Sequence, residues 1–117
     1  MADTSGVAWS CLSVALAAQD ASDVRYGSMT WKTSHQAAAR ALGRAERAFE
    51  VLDAPQRSRH RRVLAEALEK ARGCVTYFEE GDLCELDRYS GLAERAARRA
   101  LELETGKIEP AASVHPE

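Results

Sequence analysis

The chain has 117 residues, 45% of them hydrophobic and 29% charged, which is one domain's worth of sequence with a globular rather than a disordered balance. A net charge of -2 gives no overall attraction to nucleic acid. No apolar run reaches the roughly 18–20 residues that a membrane span needs.

Alanine is used heavily, arginine far outnumbers lysine, Ile108 is the one isoleucine and asparagine is absent. That bias suits a high-GC bacterial or phage genome. Cys11, Cys74 and Cys84 are odd in number and irregularly spaced, which argues against a disulfide framework and for a reducing cytoplasm. The stretch from Gly6 to Ala18 looks like the core of a secretion signal, and Ala15-Leu16-Ala17 mimics a cleavage site. The residues ahead of it carry Asp3 and no basic group, so the expected location is cytoplasmic.

The first segment, Ser5 to Gln19, places Trp9, Leu12 and Leu16 at helical spacing as its apolar stripe, with Cys11, Val14 and Ala18 beside them. Asp3 or Thr4 can cap it. Asp20 to Thr30 lacks periodicity, contains Gly27 and reads as a connector.

In the second helix Trp31, His35, Ala38, Leu42, Ala45, Phe49 and Leu52 are spaced 4-3-4-3-4-3, a heptad seam for one partner helix. It should end near Asp53, because Pro55 cannot continue it. The run from His35 to Gly43 has the alanine and glycine spacing of a helix-turn-helix, but Arg44 stands where a buried residue should follow the turn. The unbroken heptad favours one continuous helix.

The third helix has Asp53 as its expected cap, Gln56 as capping-box partner and Pro55 in the first turn. Leu64, Leu68, Ala71, Val75 and Phe78 form its seam, flanked by Val63, Ala67 and Cys74, and Gly81 stops it.

Asp82 and Glu85 form a capping box that opens the fourth helix. One stripe there is Leu83, Leu86, Ser90, Ala93, Ala97 and Ala100; a second is Tyr89, Leu92, Ala96 and Leu103. Gly106, Ile108 and Pro110 mark the end. The expected architecture is all-α: a three- or four-helix antiparallel bundle with Ala-rich heptad seams. It should occupy residues 1–106 as a single domain, with 107–117 a disordered tail. The second stripe on the fourth helix exceeds what one neighbour covers, so Tyr89, Leu92, Ala96 and Leu103 are a candidate homodimer face.

No close cysteine pair exists for zinc. Cys74 lies seven residues before Gly81 and Cys84 three after it, an offset that opposes a bridge across the turn. His35 lacks the lysine and glycine that a phosphotransfer histidine wants behind it; Ala38 and Ala39 stand there, and a partly buried, hydrogen-bonded histidine is expected. No phosphate-binding glycine loop, metal-binding Glu-x-x-His pair or nucleophile elbow is present, so neither catalysis, a metal nor a cofactor is expected.

One charge cluster stands out. Arg57, Arg59, His60, Arg61 and Arg62 open the third helix, where the helix dipole disfavours cations. Antiparallel pairing brings Arg95, Arg98 and Arg99 to the same end, giving a basic pole softened by Glu50, Asp53, Glu102 and Glu104. An acidic pole of Glu79, Glu80, Asp82, Glu85 and Asp87 lies opposite. The candidate partner-binding residues are Arg57, Arg59, Arg61, Arg62, Arg98 and Arg99. The sequence thus points to a small non-enzymatic interaction or regulatory protein that docks by a helix face to itself or to a protein partner. The alternative is nucleic-acid binding through the basic pole of the third helix.

Overall fold

A computed structural model of the chain describes residues 4–51 and 59–105. It contains four helices: α1 (Thr4–Ser22), α2 (Met29–Glu50), α3 (Arg59–Glu80) and α4 (Leu83–Thr105), with no strand among the described residues. The fold is an all-α antiparallel four-helix bundle. Neighbours follow chain order around the bundle, α1 beside α2, α2 beside α3, α3 beside α4 and α4 beside α1. Across the middle α1 touches α3, while α2 and α4 make no contact among the described residues.

The short diagonal puts α1 at the centre. Val7, Ala8, Ser10, Cys11, Leu12, Val14, Ala15, Ala18 and Ala21 of α1 are all buried, on three sides of one helix. Small residues make this possible, because alanine lets helix backbones approach closely and gain dispersion contacts along their length. The larger apolar groups come from α3, whose expected seam of Leu64, Leu68, Ala71, Val75 and Phe78 is buried, as are its flanking Val63, Ala67 and Cys74. In α4, Leu86, Ser90, Ala93, Ala97 and Ala100 are buried as expected, and only Leu83, at the first turn, is exposed.

Two elements are rotated from their expected phase. On α1, Trp9 and Leu16 do not join the core with Leu12; they are 58% and 41% exposed. The core side of α1 is instead set by its smaller residues. On α2, the buried line is Trp31, Ser34, Ala38, Ala41 and Ala45, while His35, Leu42 and Phe49 sit half-buried on its flank toward α3. α2 runs without a break through Gly43, so the chain has no helix-turn-helix there.

The two turns are built from local hydrogen bonds. Ser28 caps α2: its backbone is extended (φ -70°, ψ 169°) and its Oγ accepts the Trp31 N–H at 3.2 Å. Between α3 and α4, the Gly81 N–H donates to Phe78 O and the Asp82 N–H to Tyr77 O, a Schellman closure with Gly81 left-handed at φ 71°. Asp82 then caps α4, its Oδ1 accepting the Glu85 N–H at 3.1 Å. The return arm of the expected capping box is replaced by the Asp82–Tyr77 bond, and the Glu85 side chain pairs with Arg88 at 3.5 Å.

Both turns lie at one end of the bundle, where aromatic rings link them. Tyr26 of the connector packs edge-on to Trp31 at 5.1 Å, Trp31 edge-on to Phe78 at 5.2 Å, and His35 stacks on Phe78 at 5.2 Å with the planes 8° apart. His35 Nε2 lies 4.0 Å from Glu79 Oε2. The expected caps at Asp3 and at Asp53, Pro55 and Gln56, the seam residue Leu52, and the terminal signals at Gly106, Ile108 and Pro110 lie outside the described residues, as does the expected tail.

Candidate interaction surface

The basic pole is assembled in part. Arg57 lies outside the described residues, and Arg59 is the first residue of α3, its side chain outside them. The Arg61 guanidinium sits over the Phe49 ring, 4.7 Å from its centroid, and Arg62 is exposed. Arg98 donates to Glu94 Oε2 at 2.9 Å, and Arg99 Nη1 is 3.8 Å from Glu66 Oε1. Arg98 and Arg99 are therefore held by carboxylates of the same molecule.

Glu94 is also bound from the other side, where Gln19 Nε2 donates to its Oε1 at 2.6 Å. The Gln19 hydrogen bond first, and then that of Arg98, hold the Glu94 carboxyl below its ordinary range. This cluster ties α1 to α4 and pairs the charge of Arg98.

The expected dimer stripe on α4 is half covered by α3. Tyr89 packs against Tyr77 at 5.1 Å, and a Cβ placed on Gly73 would fall 2.7 Å from its ring, so α3 and α4 approach closely at that point. Lys70 and Arg88 lie over Tyr89 at 5.8 and 5.4 Å. Lost hydration first, and then nearby Tyr89 and acidic groups, raise the Tyr77 phenol. Leu92 and Ala96 line an open cleft with Glu66, Lys70, Arg95 and Arg99. The Leu103 side chain lies outside the described residues.

The thiols offer no nucleophile in the core. Burial pushes Cys11 and Cys74 up to about 12; for Cys11 the charge of Arg72 opposes the rise and Cys74 adds to it. Cys84 is exposed, and all three are free, so the bridge excluded on spacing is absent. No group of three or more metal-ligating side chains occurs among the described residues. No described helix is long and apolar enough to cross a membrane.

What the structure leaves uncovered lies elsewhere. Trp9, Ser13, Leu16 and Asp20 follow a 4-3-4 spacing down α1 and are all exposed, a single outward line on an otherwise buried helix. The neighbouring helix α2 carries Arg40, Arg44 and Arg47, spaced 4-3 and exposed; none has an acidic partner among the described residues. The nearest carboxylate in sequence, Glu46, is taken by Arg72 of α3, whose Nε donates to Oε2 at 2.9 Å.

Sequence reasoning passed over both features. The arginines of α2 are diluted among alanines, whereas those at 57–62 form a compact run. The available signal was that α2 holds no acidic residue before Glu46. Comparison of the chain with protein-family models, with curated proteins and with solved structures found no match.

Proposed function

We propose that this chain is a non-enzymatic docking protein that works through the outward line of α1. The observation that carries the reading is the exposure of Trp9 and Leu16 on the most deeply buried helix of the bundle. Large apolar side chains held two turns apart on a rigid helix fit the groove of another helix, and tryptophan is a residue type enriched among the energetic anchors of interfaces. The buried, protonated thiols and the lack of a metal-type cluster among the described residues supply nothing that favours an enzyme. An odd, unbridged set of cysteines fits a reducing cytoplasm.

The partner is a protein surface, either another chain or a second copy of this one. A homodimer through Tyr89, Leu92 and Ala96 has less support than the α1 line, because α3 already covers part of that stripe. Nucleic-acid binding by the basic pole loses weight for a similar reason: Glu94 and Glu66 hold Arg98 and Arg99.

The test is site-specific photocrosslinking in the cells that make the protein. A photoreactive residue replacing Leu16 should trap a protein adduct, and the same residue at exposed Thr76 of α3 should not. The adduct mass separates a second copy from a different chain. No adduct from position 16, or equal yields from 16 and 76, would overturn the reading.

A further inference from the structure

We infer that the partner docked on α1 presents an amphipathic helix with an acidic flank, its apolar side on Trp9 and Leu16 and its carboxylates on Arg40, Arg44 and Arg47. This rests on the docking function proposed above and names the chemistry of its partner.

The argument begins with which sides of α1 and α2 meet. The flank of α2 facing α3 is fixed by the Glu46–Arg72 bond, the Phe49–Arg61 contact and the His35–Phe78 stack. Turning at about 100° per residue past the buried line, the opposite flank carries Ala37, Arg44 and Ala48, which therefore borders α1. Arg40 and Arg47 lie one step further outward. On α1, the Gln19–Glu94 bond fixes the side facing α4. The exposed line of Trp9 and Leu16 lies between that side and the side facing α2. The apolar line thus points outward from α1, and the arginine stripe points outward from the neighbouring α2.

Their heights overlap in part, with Trp9 between the levels of Arg40 and Arg44 and Leu16 about 7–8 Å nearer the turn than Arg40. The helices are antiparallel and joined through residues 23–28, so Leu16 stands level with about residue 35 and Trp9 with about residue 42. Trp9 and Leu16 are seven residues apart, and so are Arg40 and Arg47, about 10 Å along each axis. A partner helix of three to four turns spans both sets.

Charge then selects the partner. Asp20 is the only acidic residue of α1, and α2 has none before Glu46, which Arg72 occupies. The three arginines have no counter-charge among the described residues, and complementary carboxylates would speed encounter and fix the register of docking. An acidic helix supplies these at the spacing of its own turns. A nucleic acid would satisfy the arginines but would leave Leu16 without an apolar partner.

The test titrates the full chain against three labelled probes, read by fluorescence anisotropy. The first is a synthetic helix with leucines at heptad spacing and glutamate flanks, the second has lysines in place of the glutamates, and the third is a DNA duplex of arbitrary sequence. The glutamate helix should bind at least about tenfold more tightly than the lysine helix and than the duplex. Combined Arg40→Glu, Arg44→Glu and Arg47→Glu should reverse the preference between the two helices, a gain that misfolding cannot produce. Leu16→Asp should lose both. An unchanged preference in the arginine variant, tightest binding to the duplex, or no binding of the glutamate helix by the wild type would each overturn the inference. So would self-association in sedimentation that Leu16→Asp breaks and the arginine variant does not, because a second copy would then occupy the face. If Leu16→Asp abolishes binding while the arginine variant keeps the original preference, docking stands and the acidic partner falls. If Leu16→Asp binds every probe as the wild type does, the docking reading itself falls.

Discussion

The ring of Tyr26 lies over Gly81: a Cβ added to the glycine would meet Tyr26 Cε1 at 2.7 Å. One residue belongs to the α1–α2 connector and the other to the α3–α4 turn, so this contact joins the two hairpins at one end of the bundle. Gly81→Ala should destabilise the protein by about 1–2 kcal/mol, because its left-handed φ of 71° is unfavourable for a side chain. Tyr26→Ala should reduce that loss, since the ring no longer obstructs the new methyl group. A double-mutant cycle by urea denaturation reads the coupling, and strictly additive effects would show that the two turns are independent.

Gly73 makes a second close approach, between α3 and α4. Alanine favours a helix interior over glycine by about 1 kcal/mol. At Gly73 its methyl would lie 2.7–2.8 Å from two atoms of the Tyr89 ring, and overpacking costs about 1–3 kcal/mol. Gly73→Ala should therefore lower the melting temperature, and the same change in a Tyr89→Ala background should raise it. A stabilising Gly73→Ala in the wild type would place Tyr89 elsewhere.

How much of this was legible differs from helix to helix. α3 could be read directly, since Leu64, Leu68, Val75 and Phe78 fall on one heptad line of a helix whose other faces are rich in charged residues. The Gly81–Asp82 junction could be read too, because one glycine stop and one capping aspartate leave few alternatives. α1 could not be phased. It carries so few polar residues that its apolar positions surround the helix, and the largest side chains, Trp9 and Leu16, looked like the core. Small Ala8, Cys11, Val14 and Ala18 face inward instead, because a central helix must fit between three neighbours. Nor could the sequence show that Arg98 and Arg99 meet Glu94 and Glu66, or that Arg40, Arg44 and Arg47 do not meet Glu46. Those outcomes depend on which helices become neighbours.

Cysteine reactivity should follow burial. Cys84 alone should react with a thiol reagent in the native protein at neutral pH, and all three cysteines in denaturant. The raised values of Cys11 and Cys74 have a defined consequence for stability. The folded state keeps both thiols protonated up to about 12, whereas the unfolded chain releases those protons near the ordinary 9.0. Their contribution is fully present below pH 9.0 and is lost as pH rises from there toward about 12. Urea midpoints should fall over that alkaline range, and Cys74→Ala should flatten the fall. A slope unaffected by that substitution would contradict the burial of the thiol.

Glu94 acts at the opposite end of the pH scale. Its folded value lies below the ordinary 4.5, so its bonds to Gln19 and Arg98 stabilise the fold above that pH. The contribution is lost as pH falls through the folded value. Glu94→Gln should be less stable than the wild type at neutral pH and should converge with it on acidification. A difference that is constant with pH would mean that the glutamine, not the lost charge, causes the effect.

The account turns on Leu16 serving contact with a partner and not the fold. The most direct measurement is a pair of thermal melts by circular dichroism, for Leu16→Asp and for Leu12→Asp. Leu12 is 4% exposed and Leu16 41%. A carboxylate at Leu12 would be buried without a partner, at a cost comparable to the stability of a small domain, and that variant should unfold. Leu16→Asp should melt cooperatively within about 1 kcal/mol of the wild type, as substitutions at exposed positions do. If instead Leu16→Asp unfolds as Leu12→Asp does, Leu16 belongs to the core, the outward line of α1 does not exist, and the docking function proposed for it is contradicted.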